Sequence, residues 1–104
     1  MDAIGEGVTS FTPGDRVCWA MSGGSYAEYA VVDQDKIAPI PDAIDTQTAA
    51  EARLQGLTAH YLVTSVYPIE KGSVAVVHAV AGGGGLWLTQ MIKSRGGMVI
   101  GTTS

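Results

Sequence analysis

Four consecutive glycines, Gly82–Gly85, constrain the fold of this chain more than any other feature, because of what stands on either side of them. The preceding run Val74–Val80 is almost entirely apolar and rich in valine, which is typical of a strand that is buried on both faces. The following segment, residues 86–93, is apolar and ends in a lysine, which favours a helix because a cation suits a helix C-terminus. The sequence therefore predicts a buried strand, a glycine-rich turn and a helix.

A second strand is predicted after this helix. Gly96 and Gly97 are expected to close the helix, since glycine readily adopts the left-handed conformation at which many helices end. Met98–Thr102 is again short and apolar. The segment from Val74 to Ser104 is thus predicted to be a βαβ unit with parallel strands, and seven of the 14 glycines of the chain lie within it.

The same segment could be mistaken for a membrane span. Val74–Ile92 contains no Asp, Glu, Lys or Arg over 19 residues, so its length alone would suit a transmembrane helix. Each glycine in a helix interior costs about 1 kcal/mol relative to alanine. Because the four glycines and His78 fall inside the stretch, a spanning helix is disfavoured and no membrane partner is expected.

The glycine-rich turn has the composition of an anion site. Such a turn lets the backbone approach a ligand, and the N-terminus of the following helix directs unpaired N–H groups at it. The spacing Ala79-x-x-Gly82-x-x-Gly85 fits a variant of the dinucleotide fingerprint, with Val80 where the strict form has its first glycine. Leu86 stands where a phosphate-loop NTPase requires lysine, which disfavours that class. A flexible linker is the remaining alternative, although linkers seldom join a buried strand to an apolar helix.

The residues after the second strand bear on the choice between NADH and NADPH. In NAD sites an acidic residue about 20 positions after the glycines binds the ribose 2′-hydroxyl. Here those positions hold Thr102, Thr103 and Ser104. Hydroxyl groups can donate hydrogen bonds to a 2′-phosphate that a carboxylate would repel, so the sequence favours NADPH.

The first half of the chain is predicted to contain strands followed by a helix. Arg16–Ala20 and Tyr26–Val32 are rich in aromatic and β-branched residues and are predicted to pair as adjacent antiparallel strands, with the tyrosines packed inside. Ile37–Pro41 is expected to be extended because its two prolines forbid a helix. Asp45 is the predicted N-cap of a short helix, and Gly56 is expected to separate it from a second helical stretch.

Composition excludes several classes of function. The net charge is −4 and the six Lys and Arg residues are scattered singly, so a nucleic-acid partner is not indicated. The single cysteine, Cys18, cannot form an internal disulfide or a multi-thiolate zinc site. The N-terminal residues 1–6 carry neither a cationic region nor a long apolar run, which argues against a signal peptide and makes the cytoplasm the expected compartment.

Four blocks of the sequence carry a family resemblance. They are Gly14 to Val17, Gly24 to Tyr29, Leu54 to Leu62 and Val77 to Leu86. Together they resemble successive blocks of the quinone oxidoreductase (zeta-crystallin-like) branch of the medium-chain dehydrogenase/reductase superfamily. The resemblance covers nearly the whole chain but only the middle of such enzymes, so the chain is expected to be an internal fragment.

The resemblance implies an α/β fold class with two partial domains. Residues 1–52 are expected to form the C-terminal part of a GroES-like β-barrel domain, related to the N-terminal domain of alcohol dehydrogenases. Residues 53–104 are expected to form the N-terminal part of a Rossmann domain, which is the first βαβ unit of its doubly wound parallel sheet. The active site of the family lies in the cleft between the two domains.

The resemblance also assigns individual residues. Thr58 and Tyr61 are expected to line the nicotinamide and substrate pocket, while Thr103 and Ser104 approach the adenosine ribose. The diphosphate is expected to be held by Ala81, Gly82, Gly83, Gly84 and Gly85. Gly84 departs from the family pattern, which usually has a valine there that packs the helix onto the sheet, so a looser turn is expected. His60 and His78 are expected to be structural.

The implied activity is NADPH-dependent reduction of quinones by hydride transfer, without zinc. Zinc-dependent relatives carry a four-cysteine lobe and a catalytic cysteine, and neither is present in this sequence. The substrate is expected to be a quinone or a similar conjugated carbonyl, and full-length members are expected to be homodimers. Two alternatives stay open, namely an enoyl or alkenal double-bond reductase and a nonenzymatic remnant that oligomerises through exposed core surface.

Overall fold

The computed structural model describes residues 1–103, which form two compact units. The first unit comprises Met1–Leu54 and the second begins at Gln55. The division falls within helix α1, Thr46–Tyr61. Within the described residues, no helix is long and apolar enough to cross a membrane.

The first unit contains one antiparallel pair of strands, β1 (Val17–Trp19) and β2 (Ile37–Pro39). Cys18 pairs with Ala38 at the centre of this ladder. The predicted hairpin between Arg16–Ala20 and Tyr26–Val32 is wrong. Strand β1 pairs with β2, which follows a 3-10 turn, and not with the segment Tyr26–Val32.

The segment predicted as the second strand is irregular, and the tyrosines predicted to pack inside are exposed. Tyr26 and Tyr29 have 109% and 77% of their reference surface accessible. Aromatic and β-branched content indicates a strand only when a partner edge is available, and no strand of the described residues pairs with this segment.

Helix α1 begins where the sequence predicts. The Asp45 carboxylate accepts a hydrogen bond from the Thr48 backbone N–H at 2.8 Å and another from the Thr48 hydroxyl at 2.8 Å. The Asp45 carbonyl accepts the first helical bond, from Ala49 at 3.0 Å. This is the geometry of an N-cap, and donation from Thr48 holds the pKa of the Asp45 carboxyl below its usual value.

We expect the substitution Asp45→Ala to lower the thermal midpoint of the first unit, measured by circular dichroism. The lowered pKa means that the ionised cap stabilises the fold above pH 3.8 and loses this effect as the pH falls through the folded-state value. Asp45→Asn should keep most of the cap and lose its pH dependence. Asp2→Ala removes the same charge from an exposed position. Equal midpoints for Asp45→Ala and Asp2→Ala at neutral pH would contradict the capping role.

The predicted interruption of helix α1 at Gly56 is wrong, because the helix runs without a break from Thr46 to Tyr61. A Cβ placed on Gly56 would lie 4.0 Å from Cδ2 of the Trp87 side chain. The indole therefore lies over the glycine, and this packing offsets the roughly 1 kcal/mol by which glycine disfavours a helix. A π-helical turn, Leu62–Val66, continues the helix to the residue before Tyr67.

The second unit contains the predicted βαβ arrangement. Strand β3 (Val74–His78) leads into helix α2 (Gly83–Ser94), which leads into strand β4 (Met98–Thr102). The two strands are parallel and in register from Val74 opposite Met98 to His78 opposite Thr102. The α/β fold class with a Rossmann-like beginning is therefore confirmed. Helix α2 begins at Gly83, three residues before the start of the predicted helical segment 86–93.

Helix α2 ends in the predicted glycines. Gly96 has a φ of +80°, and its N–H bonds the Lys93 carbonyl at 3.0 Å while the Gly97 N–H bonds the Ile92 carbonyl at 3.0 Å. These two bonds form a Schellman motif, which satisfies the last carbonyls of the helix. The chain is thereby turned directly into β4.

The core of the second unit lies between the sheet and helix α2. Its buried members are Val63, Ile69, Val77 and Ile92. The prediction that β3 is buried on both faces is wrong, because Val74 and Val76 are 53% and 60% exposed. Helix α2 covers one face of the two-stranded sheet, and the described residues supply no helix for the other. Met98 and Ile100 of β4 lie exposed beside these valines.

Candidate functional site

Parallel pairing brings the two chain segments of the predicted cofactor site to the same edge of the sheet. Because β3 and β4 run in the same direction, their carboxyl ends lie side by side. The turn that starts at Ala79 leaves one strand there, and Thr103 follows the other. Thr103 is exposed at this edge, and Ser104, the other predicted ribose contact, lies outside the described residues.

The turn between β3 and α2 has a defined geometry. Ala79 adopts a φ of +51°, a left-handed conformation that few residues with a side chain occupy. The N–H of Gly82 donates to the Ala79 carbonyl at 2.9 Å, which closes the turn. The N–H of Val80 donates to the Thr102 carbonyl at 3.1 Å, which extends the ladder past the end of the strand. The backbone of the turn is therefore held by hydrogen bonds at both of its ends.

Three backbone N–H groups at the start of helix α2 have no acceptor within the helix. The first helical bond runs from the Leu86 N–H to the Gly82 carbonyl at 2.9 Å, so helix geometry leaves Gly83, Gly84 and Gly85 without acceptors inside the helix. Gly83 and Gly84 are exposed, and no side chain of their own covers them. Unpaired N–H groups and the positive end of the helix dipole attract anions, so this surface fits a phosphate or diphosphate group.

The four glycines differ in what their missing side chains permit. A Cβ on Gly85 would lie 2.5 Å from the Ala79 carbonyl oxygen and 2.6 Å from the Val80 Cα. Both are backbone atoms, so only glycine allows the helix to begin this close to the strand. Gly85 therefore performs the packing role that the fingerprint gives to its last glycine.

The expectation that a side chain at position 84 would pack helix α2 onto the sheet is wrong within the second unit. No atom of a described residue beyond its immediate chain and helix neighbours lies within 4 Å of a Cβ built there, and Gly84 is exposed. A side chain at this position would extend into open space rather than onto the sheet. The absence of a side chain at Gly84 thus removes no contact with strand β3, and the close contact of helix and strand depends on Gly85.

Three polar side chains of helix α1, all in the part that belongs to the second unit, bear on the candidate site. Thr58 and Tyr61, the predicted nicotinamide contacts, are exposed, and Tyr61 has 59% of its surface accessible. Gln55 lies one turn before Thr58, and its side-chain amide rests on Gly83. Gln55 was not predicted from the sequence as a site residue, because its only signal was a polar residue three positions before Thr58.

His78 fits its expected structural role, whereas the side chain of His60 is exposed. Nδ1 of His78 is hydrogen-bonded to the Thr102 hydroxyl at 2.9 Å, across the last pair of the β3–β4 ladder. The His60 carbonyl accepts a hydrogen bond from the Thr64 hydroxyl at 2.7 Å. Among residues 1–103, no three His, Cys, Asp or Glu side chains come together in a group that could hold a metal ion.

Sequence comparison identifies relatives along the whole chain. No family model matches it. The chain is 41% identical to a quinone oxidoreductase of Pseudomonas aeruginosa, an alignment that spans 100% of this chain and 32% of that protein. It is 40% identical to quinone oxidoreductase 1 of Escherichia coli, over 95% of this chain and 31% of that protein. The chain therefore spans about a third of the length of these relatives.

Structural comparison gives the same result. A mycobacterial protein solved in complex with NADPH superimposes with a TM-score of 0.94 and 46% identity, over 99% of this chain and 33% of that one. The Escherichia coli quinone oxidoreductase complexed with NADPH gives a TM-score of 0.91 and 40% identity, over 96% and 31% of the two chains. The CurK enoyl reductase gives a TM-score of 0.93 at 26% identity, over 99% and 31%.

Proposed function

Because this chain is homologous to the quinone oxidoreductases of the medium-chain dehydrogenase/reductase superfamily over about a third of their length, we propose that it supplies the diphosphate-binding part of an NADPH-dependent oxidoreductase. The observation that carries this proposal is the start of helix α2. Three backbone N–H groups there have no acceptor within the helix, and the backbone of the preceding turn leaves no room for a side chain at Gly85. Two of the similar solved structures are described as complexes with NADPH.

We assign the cofactor contacts as follows. The N–H groups of Gly83–Gly85 bind the diphosphate, with Ala81 and Gly82 forming the turn below it. Thr103 and Ser104 donate hydroxyl hydrogen bonds to the adenosine ribose and its 2′-phosphate, which a carboxylate at these positions would repel. Thr58 and Tyr61 lie on the exposed surface of helix α1, one turn apart from each other, and border the nicotinamide.

We propose reduction of quinones as the activity of the whole protein. NADPH supplies the hydride, and the part played by this chain is to fix the cofactor so that one face of the nicotinamide is presented to the substrate. We further propose that the reaction is zinc-independent. The domain assignment of residues 1–52 and 53–104, a cytoplasmic location and a homodimeric whole protein belong to the same proposal.

Reduction of a conjugated carbon–carbon double bond is the second candidate, and the likeness to the CurK enoyl reductase favours it. Both candidates use the same cofactor site and differ in the acceptor of the hydride. Oxidation of NADPH at 340 nm, followed with 1,4-benzoquinone and with an enone such as 3-penten-2-one, separates the two. A faster rate with the quinone supports the first candidate, and a faster rate with the enone supports the second.

Cofactor binding is tested by titrating the protein with NADPH and following cofactor fluorescence. We expect saturable binding by the wild type and at least a tenfold weaker affinity for Gly83→Asp, because the new carboxylate lies at the anion site and repels the diphosphate. Gly23→Asp is the matched control. Gly23 is exposed, and a Cβ there meets no described atom within 4 Å.

The two variants distinguish a specific site from general charge repulsion. Equal weakening by Gly83→Asp and Gly23→Asp would mean that the added charge, and not its position, opposes binding. Identical, negligible binding by wild type and Gly83→Asp would overturn the proposed cofactor function of this chain.

A further inference from the structure

The side chain of Gln55 occupies the space that a side chain on Gly83 would fill. A Cβ built on Gly83 would meet the Gln55 amide, with Cδ and Nε2 each at 2.7 Å and Oε1 closer still. Gly83 is the first residue of helix α2 and one of the three whose N–H groups lack helical acceptors. The amide of Gln55 therefore lies against the surface at which an anion would bind.

An amide at this position suits a diphosphate better than a carboxylate of the same size. Its NH2 group donates hydrogen bonds to phosphate oxygens, and it carries no charge that would bind the helix N-terminus in place of the ligand. A carboxylate of the same shape would itself be attracted by the unpaired N–H groups and the helix dipole. Gln55 is exposed, so its side chain is free to rotate toward a ligand without disturbing the core.

We propose that Gln55 is a cofactor-contact residue whose side-chain Nε2–H group donates a hydrogen bond to the diphosphate beside Gly83. This inference rests on the proposed function, because the anion it names is the diphosphate of NADPH. It adds a contact from helix α1 to the diphosphate part of the site, which is otherwise made of backbone groups from the β3–α2 turn and the start of helix α2. The contact also accounts for the glycine at position 83, since any side chain there would displace the amide.

The experiment replaces Gln55 by glutamate and by alanine in the full chain. We expect Gln55→Glu to weaken NADPH affinity by about tenfold or more, because a carboxylate repels the diphosphate at a few ångströms. We expect Gln55→Ala to weaken it by about tenfold, since one hydrogen bond to a charged group is lost. The control Gln90→Glu makes the same change on helix α2, two turns after Gly83. The Gln90 amide donates to the Leu86 carbonyl at 3.3 Å, and this variant should leave the affinity unchanged.

Two further readouts separate a ligand contact from a structural role. The thermal midpoint of Gln55→Glu should equal or exceed that of the wild type, because a carboxylate near a helix N-terminus stabilises the helix. The deficit in NADPH affinity should shrink as sodium chloride is raised toward 1 M, since the repulsion is screened. A lowered midpoint, or a deficit that salt does not change, would overturn the inference in favour of a packing role.

A titration with inorganic pyrophosphate makes the inference independent of the nicotinamide. The amide resonances of Gly83–Gly85 should shift in the wild type and stay unchanged in Gln55→Glu. If the wild type fails to bind NADPH, the proposed function is overturned, while the pyrophosphate spectra still decide the role of Gln55. Equal responses of the wild type and Gln55→Glu to pyrophosphate would overturn the inference.

Discussion

Replacing Gly85 by alanine is expected to destabilise the second unit by about 3 kcal/mol, a value at the upper end of the range for overpacking in a close-packed interior. The added Cβ would lie 2.5 Å from the Ala79 carbonyl oxygen and 2.6 Å from the Val80 Cα. These atoms belong to the backbone of the turn, so they cannot rotate away as a long side chain would. The helix must therefore move off the strand, which also disturbs the anion-binding surface.

Urea unfolding followed by circular dichroism measures this loss, and Gly84→Ala is its matched control. The Cβ of an alanine at position 84 meets no described atom within 4 Å beyond its immediate chain and helix neighbours, so the variant should be at least as stable as the wild type. It could gain up to about 1 kcal/mol, because alanine favours a helix over glycine. Equal destabilisation by the two substitutions would contradict the assignment of the helix–strand contact to Gly85.

Replacing Ile92 by alanine is the second large effect that we expect. Ile92 is 2% exposed and belongs to the buried cluster with Val63, Ile69 and Val77. Removal of a buried isoleucine side chain to alanine costs about 3 kcal/mol, through lost burial and the cavity that remains. Because small domains have a total stability of only about 5–15 kcal/mol, this loss should shift the urea midpoint substantially.

The control for Ile92 is Val76→Ala on the uncovered face of the sheet. Val76 is 60% exposed, so its truncation should cost less than about 1 kcal/mol. Similar losses for the two variants would show that the uncovered face is buried in solution. The pair of variants therefore also tests which face of the sheet carries the core.

Much of the second unit could be predicted from sequence because its signals are local. The valine-rich run, the glycines and the apolar helix each report on neighbours within a few residues, and they lead to the observed β3–α2–β4 order. The error about burial has a different cause. Valine at positions 74 and 76 indicates that a side chain tolerates burial, but coverage of that face depends on elements from elsewhere in a chain.

The first half was predicted less well because its pairing is not between sequence neighbours. Strand β1 pairs with Ile37–Pro39 instead of Tyr26–Val32, and composition does not distinguish one possible partner edge from another. The N-cap at Asp45 was correct, since a cap depends only on residues within one turn. The uninterrupted helix at Gly56 depends on the distant Trp87, which no local pattern reveals.

In the candidate site too, the features with local sequence signals were predicted and those that depend on tertiary contacts were not. The glycine spacing located the turn and the start of helix α2, but it did not tell which glycine meets the strand. That distinction between Gly84 and Gly85 depends on the direction in which the turn leaves Ala79. The Gln55 amide was missed because it reaches Gly83 from helix α1, across 28 positions of sequence.

The left-handed Ala79 has a consequence for the entropy of ligand binding. A flexible loop loses about 1–2 kcal/mol of conformational entropy for each residue that a ligand immobilises. Here the Gly82-to-Ala79 and Val80-to-Thr102 hydrogen bonds have already fixed the turn, and the cost of the unusual φ of +51° falls on folding. A diphosphate that reaches this surface therefore meets N–H groups already in place, and the entropy of ordering the backbone takes little from the binding free energy.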